Sequence, residues 1–482
     1  MKLLPKLIAC LICSQVFAYQ FMDPSPMVQV GVTFSPDRVL YCLVCIALLI
    51  LLFGDNVHLP LQRTEVYMLI FTLFCTASWY LSGADWEADL SSQGYRYLTT
   101  LFNFIFIPYV VYLSLKSLPY RKETSQMFVR ALFLLGIYLV LVGFFEHYRI
   151  SALVWPSYIL DPSVGIQFGR ARGPFASSSA YGGALIVIFL VAMLLITRAE
   201  GTRRRWLSLF LALNLAVIYF TYQRSVWLTL ALSLAILYFA STRMKKPAKW
   251  IAVLVACVFV LGVGSKFSLS QGTLFSRRQQ TIDYRLTNYI TTIEMFKQNP
   301  ILGIGYGRFH SDWSKYFRTP QNSEIEALTD GNHNTFLGVA AELGAVGLVL
   351  YLLILYRMLK SGWKVYRETR RLGWMWEQDL AVLSLAITLG FILQAQFSDY
   401  RYTQFLNTVM FAFLGIICAI ERSLPQGEAE QPGHLRSAPS RAGLVRARHT
   451  ALSSRPRPRL RPRNAAKAKA SRVPGRPILP TS

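Results

Sequence analysis

Charged side chains are scarce in this 482-residue sequence, at 16% of its residues, where a soluble chain carries about a quarter. The charge that is present is unbalanced, with 50 Lys and Arg against 25 Asp and Glu. Apolar residues are instead gathered in repeated runs that are long enough to cross a hydrocarbon core of ~30 Å as helices. The scarcity of charge excludes an ordinary soluble enzyme, and the runs predict an all-α polytopic membrane protein.

Cysteine is also sparse, with seven residues, and all of them lie inside apolar runs. Two pairs, Cys10/Cys13 and Cys42/Cys45, have the spacing of redox or metal motifs. Neither pair has polar neighbours that would activate a thiol or complete a metal site, so we interpret these cysteines as small hydrophobic residues.

Twelve apolar runs are predicted to be transmembrane helices: 3–18, 38–54, 65–82, 97–115, 126–146, 180–197, 206–221, 225–241, 250–264, 335–356, 379–397 and 403–420. This pattern divides the chain into four parts. Residues 1–264 hold the first nine helices, residues 265–334 form one large extramembrane loop, residues 335–421 hold the last three helices, and residues 422–482 form a tail.

The loops between these runs alternate in charge. One set is basic, as in RAEGTRRR at 198–205 and TRMKKPAK at 242–249, and short basic loops stay in the cytoplasm. Both termini are therefore predicted to be cytoplasmic, with the acidic segment 83–89 and the long loop 265–334 facing outward. An alternative for the first run is a signal peptide cleaved after Ala18, which would leave eleven helices and the same outward loops.

The tail holds 14 Lys and Arg from Arg422 onward against two acidic residues. It is rich in Pro, Ala and Ser and has no apolar periodicity, which predicts disorder. Binding to anionic lipid headgroups is the favoured role, with RNA binding as the alternative. Nucleic acid is otherwise an unfavoured partner, because so much of the net charge of +25 lies in this tail.

Two outward segments contain arginines that need a reason. GRARGPFASSSAYGG, residues 169–183, places Arg170 and Arg172 just before a helix, where guanidinium groups and helix N–H groups form an anion site. TYQRSVW, residues 221–227, places Arg224 at a tight junction of two helices, where a cation is costly unless it is paired or lines a wet cavity. The alternatives are an ordinary loop and an arginine that reaches the headgroups.

The long loop contains DYRLTNYITTIEMFKQNP, residues 283–300, in which apolar residues recur at helical spacing. This predicts an amphipathic helix that ends before Pro300 and lies along the outer membrane boundary. Arg285 would fall in its first turn, where the helix dipole disfavours a cation, and this favours a ligand-binding role. The following ILGIGYGRFH, residues 301–310, lacks the strand and helix start of a nucleotide loop and is interpreted as a flexible turn.

The loop ends in DGNHNT, residues 330–335, directly before a transmembrane run. Asn334 or Thr335 is placed to cap that helix. His333 at this position can accept a proton from a hydroxyl group, although a histidine that only faces water fits the same pattern. Asp330 lies three residues before His333.

Three separated motifs resemble one family. GRARGPFASSSAYGG, TYQRSVWLTL, and RLTNYITTIEMFKQNPILGIGYGRF with the later HNTFLGVAAELGAVG are similar to the motifs of the bacterial O-antigen ligase/polymerase superfamily. The resemblance covers about residues 165–350 and agrees with the helix pattern. The sequence departs from the family at Gln223, which replaces a serine, and at Ala176–Ser178, which replace Asn-Pro.

The resemblance implies a GT-C-like, metal-independent, inverting glycan transferase of the bacterial inner membrane, with its active site in the periplasm and no cofactor. The donor would be a glycan on undecaprenyl pyrophosphate and the acceptor a glycan or a lipid core, with membrane lipids and polysaccharide assembly proteins as further partners. It assigns the diphosphate to Arg170, Arg172, Arg224 and Arg285, the acceptor hydroxyl to His333, and supporting roles to Asp330 and Asn334.

Other functions are compatible with the sequence. A polysaccharide or lipid-carrier transporter would need charges buried within its spans, for which Arg130 is the main candidate. A non-catalytic scaffold could use the basic tail for docking, and a protein O-oligosaccharyltransferase would use the same donor. A metal role would fall to the acidic cluster Asp85, Glu87 and Asp89, which is interpreted as a solvated loop.

Overall fold

The computed structural model describes residues 3–17, 36–54, 61–82, 101–165, 167–267, 273–318 and 332–425, with side chains except at 103, 257–283 and 402. These parts of the chain are helical and contain no strand. The chain divides into Met1–Leu424 and Pro425–Ser482, and the structure described below is that of the first unit. The acidic segment 83–89, Asp330 and the tail beyond 425 lie outside the described residues.

Fourteen α-helices make up the described structure. They are α1 Leu3–Ser14, α2 Pro36–Phe53, α3 Arg63–Leu81, α4 Ile107–Ser117, α5 Lys122–His147, α6 Ser178–Ile196, α7 Gly201–Phe220, α8 Arg224–Ala240, α9 Lys245–Phe267, α10 Thr273–Gln298, α11 Trp313–Tyr316, α12 Thr335–Leu372, α13 Met375–Gln394 and α14 Gln404–Ser423. A π-helical turn, Phe102–Phe106, leads into α4.

Each of the twelve predicted runs coincides with one of these helices. Seven of the described helices, α2, α3, α5, α6, α12, α13 and α14, are long and apolar enough to cross a membrane, and α1, α4 and α8 are shorter apolar helices. The protein is therefore a polytopic membrane protein. The number of twelve spans and their orientation stay predictions from the sequence.

The centre of the bundle is formed by α6 and α14. Both are buried along almost their whole length; α6 is apolar on nearly every side, as expected for such burial, whereas α14 also buries the polar residues Asn407 and Thr408. Helix α14 packs against α4, and α13 packs against both α8 and α12. This packing brings the outward ends of α6, α8, α12 and α13 close to one another.

Loops that are predicted to lie on the same side of the membrane contact one another. In the set predicted to be cytoplasmic, Arg198 forms an ion pair with Asp379 across 2.5 Å. In the set predicted to face outward, the Ala171 amide donates to the Phe220 carbonyl across 3.0 Å. The loops that carry the candidate site are thus in contact with one another on the side predicted to face outward.

Helix α12 is broken at Gly344, whose φ of 63° and ψ of −165° lie outside helical values. The break frees backbone carbonyls, and the turn 301–310 supplies their partners. The Ala341 carbonyl accepts the Ile304 amide across 3.0 Å, and the Glu342 carbonyl accepts the Gly305 amide at the same distance. A side chain at Gly344 would collide with the backbone of residue 301.

The amides beyond the break are satisfied by the same turn. Ala345 donates to the Pro300 carbonyl across 2.8 Å, and Val346 donates to the Ile301 carbonyl across 3.3 Å. The predicted flexible turn is therefore bonded on both sides to a discontinuous helix, which satisfies the groups that the break would otherwise leave unpaired.

Helix α10 contains the predicted amphipathic helix but begins ten residues earlier. Arg285 consequently lies in the middle of α10, and its predicted place in the first turn is wrong. Two residues of its apolar stripe, Leu286 and Ile293, are exposed at 43% and 39%, whereas its small polar residues Thr287, Asn288, Thr291 and Thr292 are buried. This inverted burial fits a helix that lies on a membrane boundary.

Candidate active site

The segment between α5 and α6 is organised around Arg172. Its side chain is fully buried, and its guanidinium donates to the carbonyls of Ile159 (2.9 Å), Asp161 and Val164. The same guanidinium lies over the ring of Phe168, 4.9 Å from its centroid. Burial lowers the pKa of Arg172 from its ordinary value. This arginine is committed to holding its own loop.

The backbone next to Arg172 is fixed by α5. The carboxylate of Glu146 accepts the Arg172 amide at 3.1 and 3.2 Å and the Gly173 amide at 2.8 Å. A carboxylate that accepts these backbone amides anchors the loop to the end of the helix. Arg170, two residues earlier, is left on the outer side of this anchored loop and is exposed.

Three arginines lie near one another on the surface predicted to face outward. Arg170 lies in the α5–α6 loop, Arg224 is the first residue of α8, and Arg285 lies on α10. Partial burial lowers the pKa of Arg170, and the charges of Arg285 and Arg224 lower it further. No hydrogen bond or ion pair of the described residues uses any of the three guanidinium groups. Their unneutralised positive charge is suited to an anionic ligand.

Gln223 joins the two turns that carry Arg170 and Arg224. Its side-chain amide donates to the Gln167 side-chain oxygen and to the Ser178 hydroxyl, both across 2.8 Å. Ser178 is the first residue of α6 and also donates to Gln167. The buried amide thus fixes Arg224 relative to the Arg170 loop.

His333 precedes α12 and is half-buried. The ring of Tyr284 meets its imidazole edge-on, with 5.8 Å between the ring centroids and an interplanar angle of 69°. Tyr284 and Arg285 are neighbours on α10. This helix therefore places one residue against His333 and the next in the group of cations.

Asn334 caps α12, as predicted, and its side-chain oxygen accepts the amides of Phe336 (2.9 Å) and Leu337 (3.1 Å). Its side-chain nitrogen donates to the Gln396 carbonyl across 3.2 Å. The hydroxyl of Tyr289 donates to that carbonyl across 3.5 Å. Burial raises the pKa of Tyr289 from its ordinary value. The segment after α13 therefore ties α10 to the residue that follows His333.

Sequence reasoning missed a buried charged group beneath this surface. Arg401 donates to Glu342 across 2.6 Å and to both carboxylate oxygens of Asp399, and each of these side chains is buried. Glu342 interrupts the otherwise apolar GVAAELGAVG, and an acidic residue within a membrane run marks a functional candidate. That signal was present in the sequence, but its partner lies in a different loop.

An apolar groove leads away from Arg224. It lies between α7, α8 and α9, has a volume of about 1110 Å³, and is lined by aliphatic and aromatic side chains along the depth of these helices. Tyr219 and Trp227 stack in it, with 5.5 Å between ring centroids and an angle of 8°. Arg224 and Lys249 are its only charged lining residues among those described.

Residues 209–352 match the family model described as O-antigen ligase. This chain carries an O-antigen ligase domain. The domain match covers under a third of the chain and contains Arg224, Arg285 and His333, whereas Arg170 and Arg172 precede it. Family members are O-antigen ligases and polymerases, so the resemblance drawn from the sequence motifs is confirmed. A comparison with curated proteins found no significant match.

The O-antigen ligase domain therefore supplies two of the clustered cations and the candidate base, and the α5–α6 loop adds the third cation. Within the described ranges, no group of three His, Cys, Asp or Glu side chains could hold a metal ion. Asp330 and the acidic cluster at 85–89 lie outside those ranges, so their proposed and alternative roles stay predictions.

Proposed function

We propose that this protein transfers a glycan from undecaprenyl pyrophosphate to an acceptor sugar hydroxyl, as an O-antigen ligase or polymerase does. The observation that carries the proposal is that Arg170, Arg224 and Arg285 lie near one another without a described counter-charge, and that Tyr284, the residue before Arg285 on α10, contacts His333. A cation site beside a candidate base fits a substrate that combines a diphosphate with a reacting sugar.

The three arginines would bind the diphosphate of the donor. Guanidinium forks match phosphate oxygens in pairs, and each charge-assisted hydrogen bond contributes about 1.5–3 kcal/mol. The same interactions would strengthen as negative charge grows on the departing diphosphate, which stabilises the transition state. Such a site needs no metal ion, and we propose that the reaction is metal-independent.

The groove that ends at Arg224 supports a lipid-linked donor. An apolar surface at membrane depth is suited to a polyprenyl chain, and the arginine at its end would meet the diphosphate where the chain stops. A soluble nucleotide-sugar donor would have no use for such a groove.

His333 would act as the base toward the acceptor. In the proposed step the acceptor oxygen bonds to the anomeric carbon, its proton passes to the imidazole, and the bond from that carbon to the phosphate oxygen breaks. The electron pair leaves with the diphosphate, and the direct attack inverts the anomeric centre. General base catalysis of this kind contributes typically 10²–10⁴-fold. Asp330 is proposed to orient the imidazole.

Arg172 is assigned a different role from the one that its motif implied. Two of its nitrogens donate to three backbone carbonyls, so we propose that it shapes the loop that presents Arg170. The diphosphate would then be bound by the three exposed or half-buried arginines.

The deciding experiment is a transfer assay in membranes with a lipid-diphosphate glycan donor. His333→Ala should abolish product while the protein still inserts. His147→Phe is a matched control, because His147 stacks on Phe220 at 3.7 Å and phenylalanine keeps that stack. Transfer at the wild-type rate by His333→Ala would refute the assignment of the base.

Polymerase and ligase differ in the acceptor, and the intermediates that accumulate in cells without the protein distinguish them. In a deletion strain, surface lipid capped with a single repeat would indicate a polymerase, and long unattached chains would indicate a ligase. A transporter would instead leave the donor on the wrong side of the membrane. Arg130, the main candidate for a transport charge, is exposed on α5, so it is not a charge buried within a span.

A further inference from the structure

The ion pair of Glu342 and Arg401 connects three segments of the outward surface. The two side chains meet across 2.6 Å, and each is only 1% exposed. Arg401 also holds Asp399 through two of its nitrogens, at 2.6 and 2.9 Å. The group therefore joins α12 to the turn between α13 and α14.

Glu342 extends the connection to the turn 301–310. One carboxylate oxygen accepts the Gly307 amide across 3.0 Å, and the other accepts the Phe309 amide across 3.3 Å. Together with the backbone bonds at the α12 break, these contacts fix the turn 301–310 against the first half of α12.

The other end of the group reaches the segment that carries His333. A side-chain carbon at Gly338 would lie 2.5 Å from an Arg401 nitrogen and 2.6 Å from the side-chain nitrogen of Asn332. The Arg401 guanidinium and Asn332 thus both pack on the open face that Gly338 leaves on the first turns of α12. Asn332 is buried and directly precedes His333.

A second set of bonds holds the same segment. The Thr335 amide donates to the Ala395 carbonyl across 2.8 Å, and its hydroxyl donates to the Ser398 carbonyl across 3.0 Å. The Tyr400 amide donates to the Thr335 hydroxyl across 2.9 Å. The turn that carries Arg401 is therefore clamped to both sides of His333.

We propose that Glu342 and Arg401 are positioning residues, which set the place of the His333 imidazole through Gly338 and Asn332. This inference rests on the proposed function. A buried ion pair is a weak source of net stability, because desolvation offsets its attraction, but its hydrogen bonds define one geometry. Glu342 and Arg401 do not themselves contact the reacting atoms.

Gly338→Ala tests the proposal without removing a charge. The added methyl group meets the ends of two flexible side chains and alanine favours a helix, so the protein should fold with Arg401 or Asn332 displaced. We expect kcat to fall about 10²-fold, as for a misplacement of ~1 Å, with the donor KM unchanged. Glu342→Gln should show the same split between kcat and KM.

Each variant has a matched control. Gly362→Ala makes the same change on α12, with Leu385 as the near neighbour, about 27 Å along the helix beyond the break at Gly344. Glu65→Gln breaks another buried ion pair, which Glu65 forms with Lys116 across 2.5 Å. Glu65 lies about 20 Å along α3 from Ser78, the residue of α3 that contacts the turn 301–310 at Tyr306. Both controls should keep the wild-type kcat per folded molecule.

The outcomes separate positioning from stability. If Gly338→Ala and Glu342→Gln lower the melting temperature but keep kcat, or if the controls lose kcat equally, the inference is overturned. If His333→Ala retains transfer, the assignment of His333 as the general base in the proposed function is overturned instead. An inactive His333→Ala together with a fully active Gly338→Ala would overturn only the present inference.

Discussion

The side-chain amide of Gln223 donates a hydrogen bond to the hydroxyl of Ser178 across 2.8 Å. Both residues lie at positions where the sequence departs from the pattern of the family that it resembles. The two departures are thus in direct contact, with Gln167 as a common partner. The side chain before Arg224 is thus bonded to the hydroxyl at the start of α6, and this bond joins the two turns.

The first prediction follows from this contact. Gln223→Ala and Ser178→Ala should each cost ~1 kcal/mol of stability and raise the donor KM, because Arg224 loses its fixed place. The double variant should cost less than the sum, with a coupling of about 0.5–1 kcal/mol measured by thermal unfolding in detergent. Gln223→Ala combined with Ser241→Ala, about 27 Å away along α8, should be additive. If the effects of the Gln223 and Ser178 changes are additive, the hydrogen bond between these residues does not couple the two turns.

The second prediction concerns the three clustered cations. Arg170→Ala, Arg224→Ala and Arg285→Ala should each lower kcat/KM for the lipid-linked donor by roughly 10–100-fold, which corresponds to about 1.5–3 kcal/mol of lost charge-assisted bonding. Lysine at each position should restore part of the loss, since it keeps the charge but not the fork. Arg203→Ala, an exposed arginine at the other end of α7, is the control and should leave kcat/KM unchanged.

The third prediction separates Arg172 from that cluster. Arg172→Lys should reduce the yield of folded protein and the melting temperature, because the buried guanidinium donates to three carbonyls and each buried group left unpaired costs about 1–3 kcal/mol. The donor KM of the protein that does fold should stay near its original value. A stable Arg172→Lys protein with a raised donor KM would show that Arg172 binds the diphosphate after all.

The fourth prediction concerns metal ions. Transfer in membranes should continue in an excess of EDTA, because positive charge at the proposed diphosphate site comes from arginine side chains. The measurement is product formation before and after chelation, with Mg²⁺ added back as the control. Complete loss that Mg²⁺ restores would move the charge to a bound cation and give the acidic residues Asp85, Glu87 and Asp89 a role.

The fifth prediction concerns the basic tail. Removal of residues 425–482 should leave kcat unchanged, since the described site lies wholly before that segment. The same truncation should weaken binding to vesicles that contain anionic lipids, by about 1 kcal/mol for each basic residue that lies near the surface. An inactive truncated protein would give the tail a part in folding or transfer.

Local signals predicted the helices well. The apolar runs located twelve helices, and the Asn334 cap placed the start of α12 at Thr335. Both signals depend on residues within a few positions of one another, so the sequence displays them directly. The early start of α10 was missed because residues 273–282 have no apolar periodicity, and this moved Arg285 away from a helix end.

Contacts between distant segments were not predictable in the same way. Nothing local distinguishes Arg170 from Arg172, yet the first is exposed and the second is enclosed by carbonyls from residues 159–164. From its sequence, the turn 301–310 has the appearance of a flexible link, because its hydrogen-bond partner is the break in α12 at Gly344. That partner lies some forty residues later, and a single sequence gives no indication of the pairing.

The exposed apolar side chains of α10 affect the lipid environment in which the purified protein should be active. The helix that carries Tyr284 and Arg285 leaves Leu286 and Ile293 exposed, and at the predicted membrane boundary these two side chains would contact lipid. The bilayer would then be a structural component of the proposed active site. Activity should depend on lipid headgroup and thickness, and purified protein should work best in nanodiscs, where a bilayer is retained.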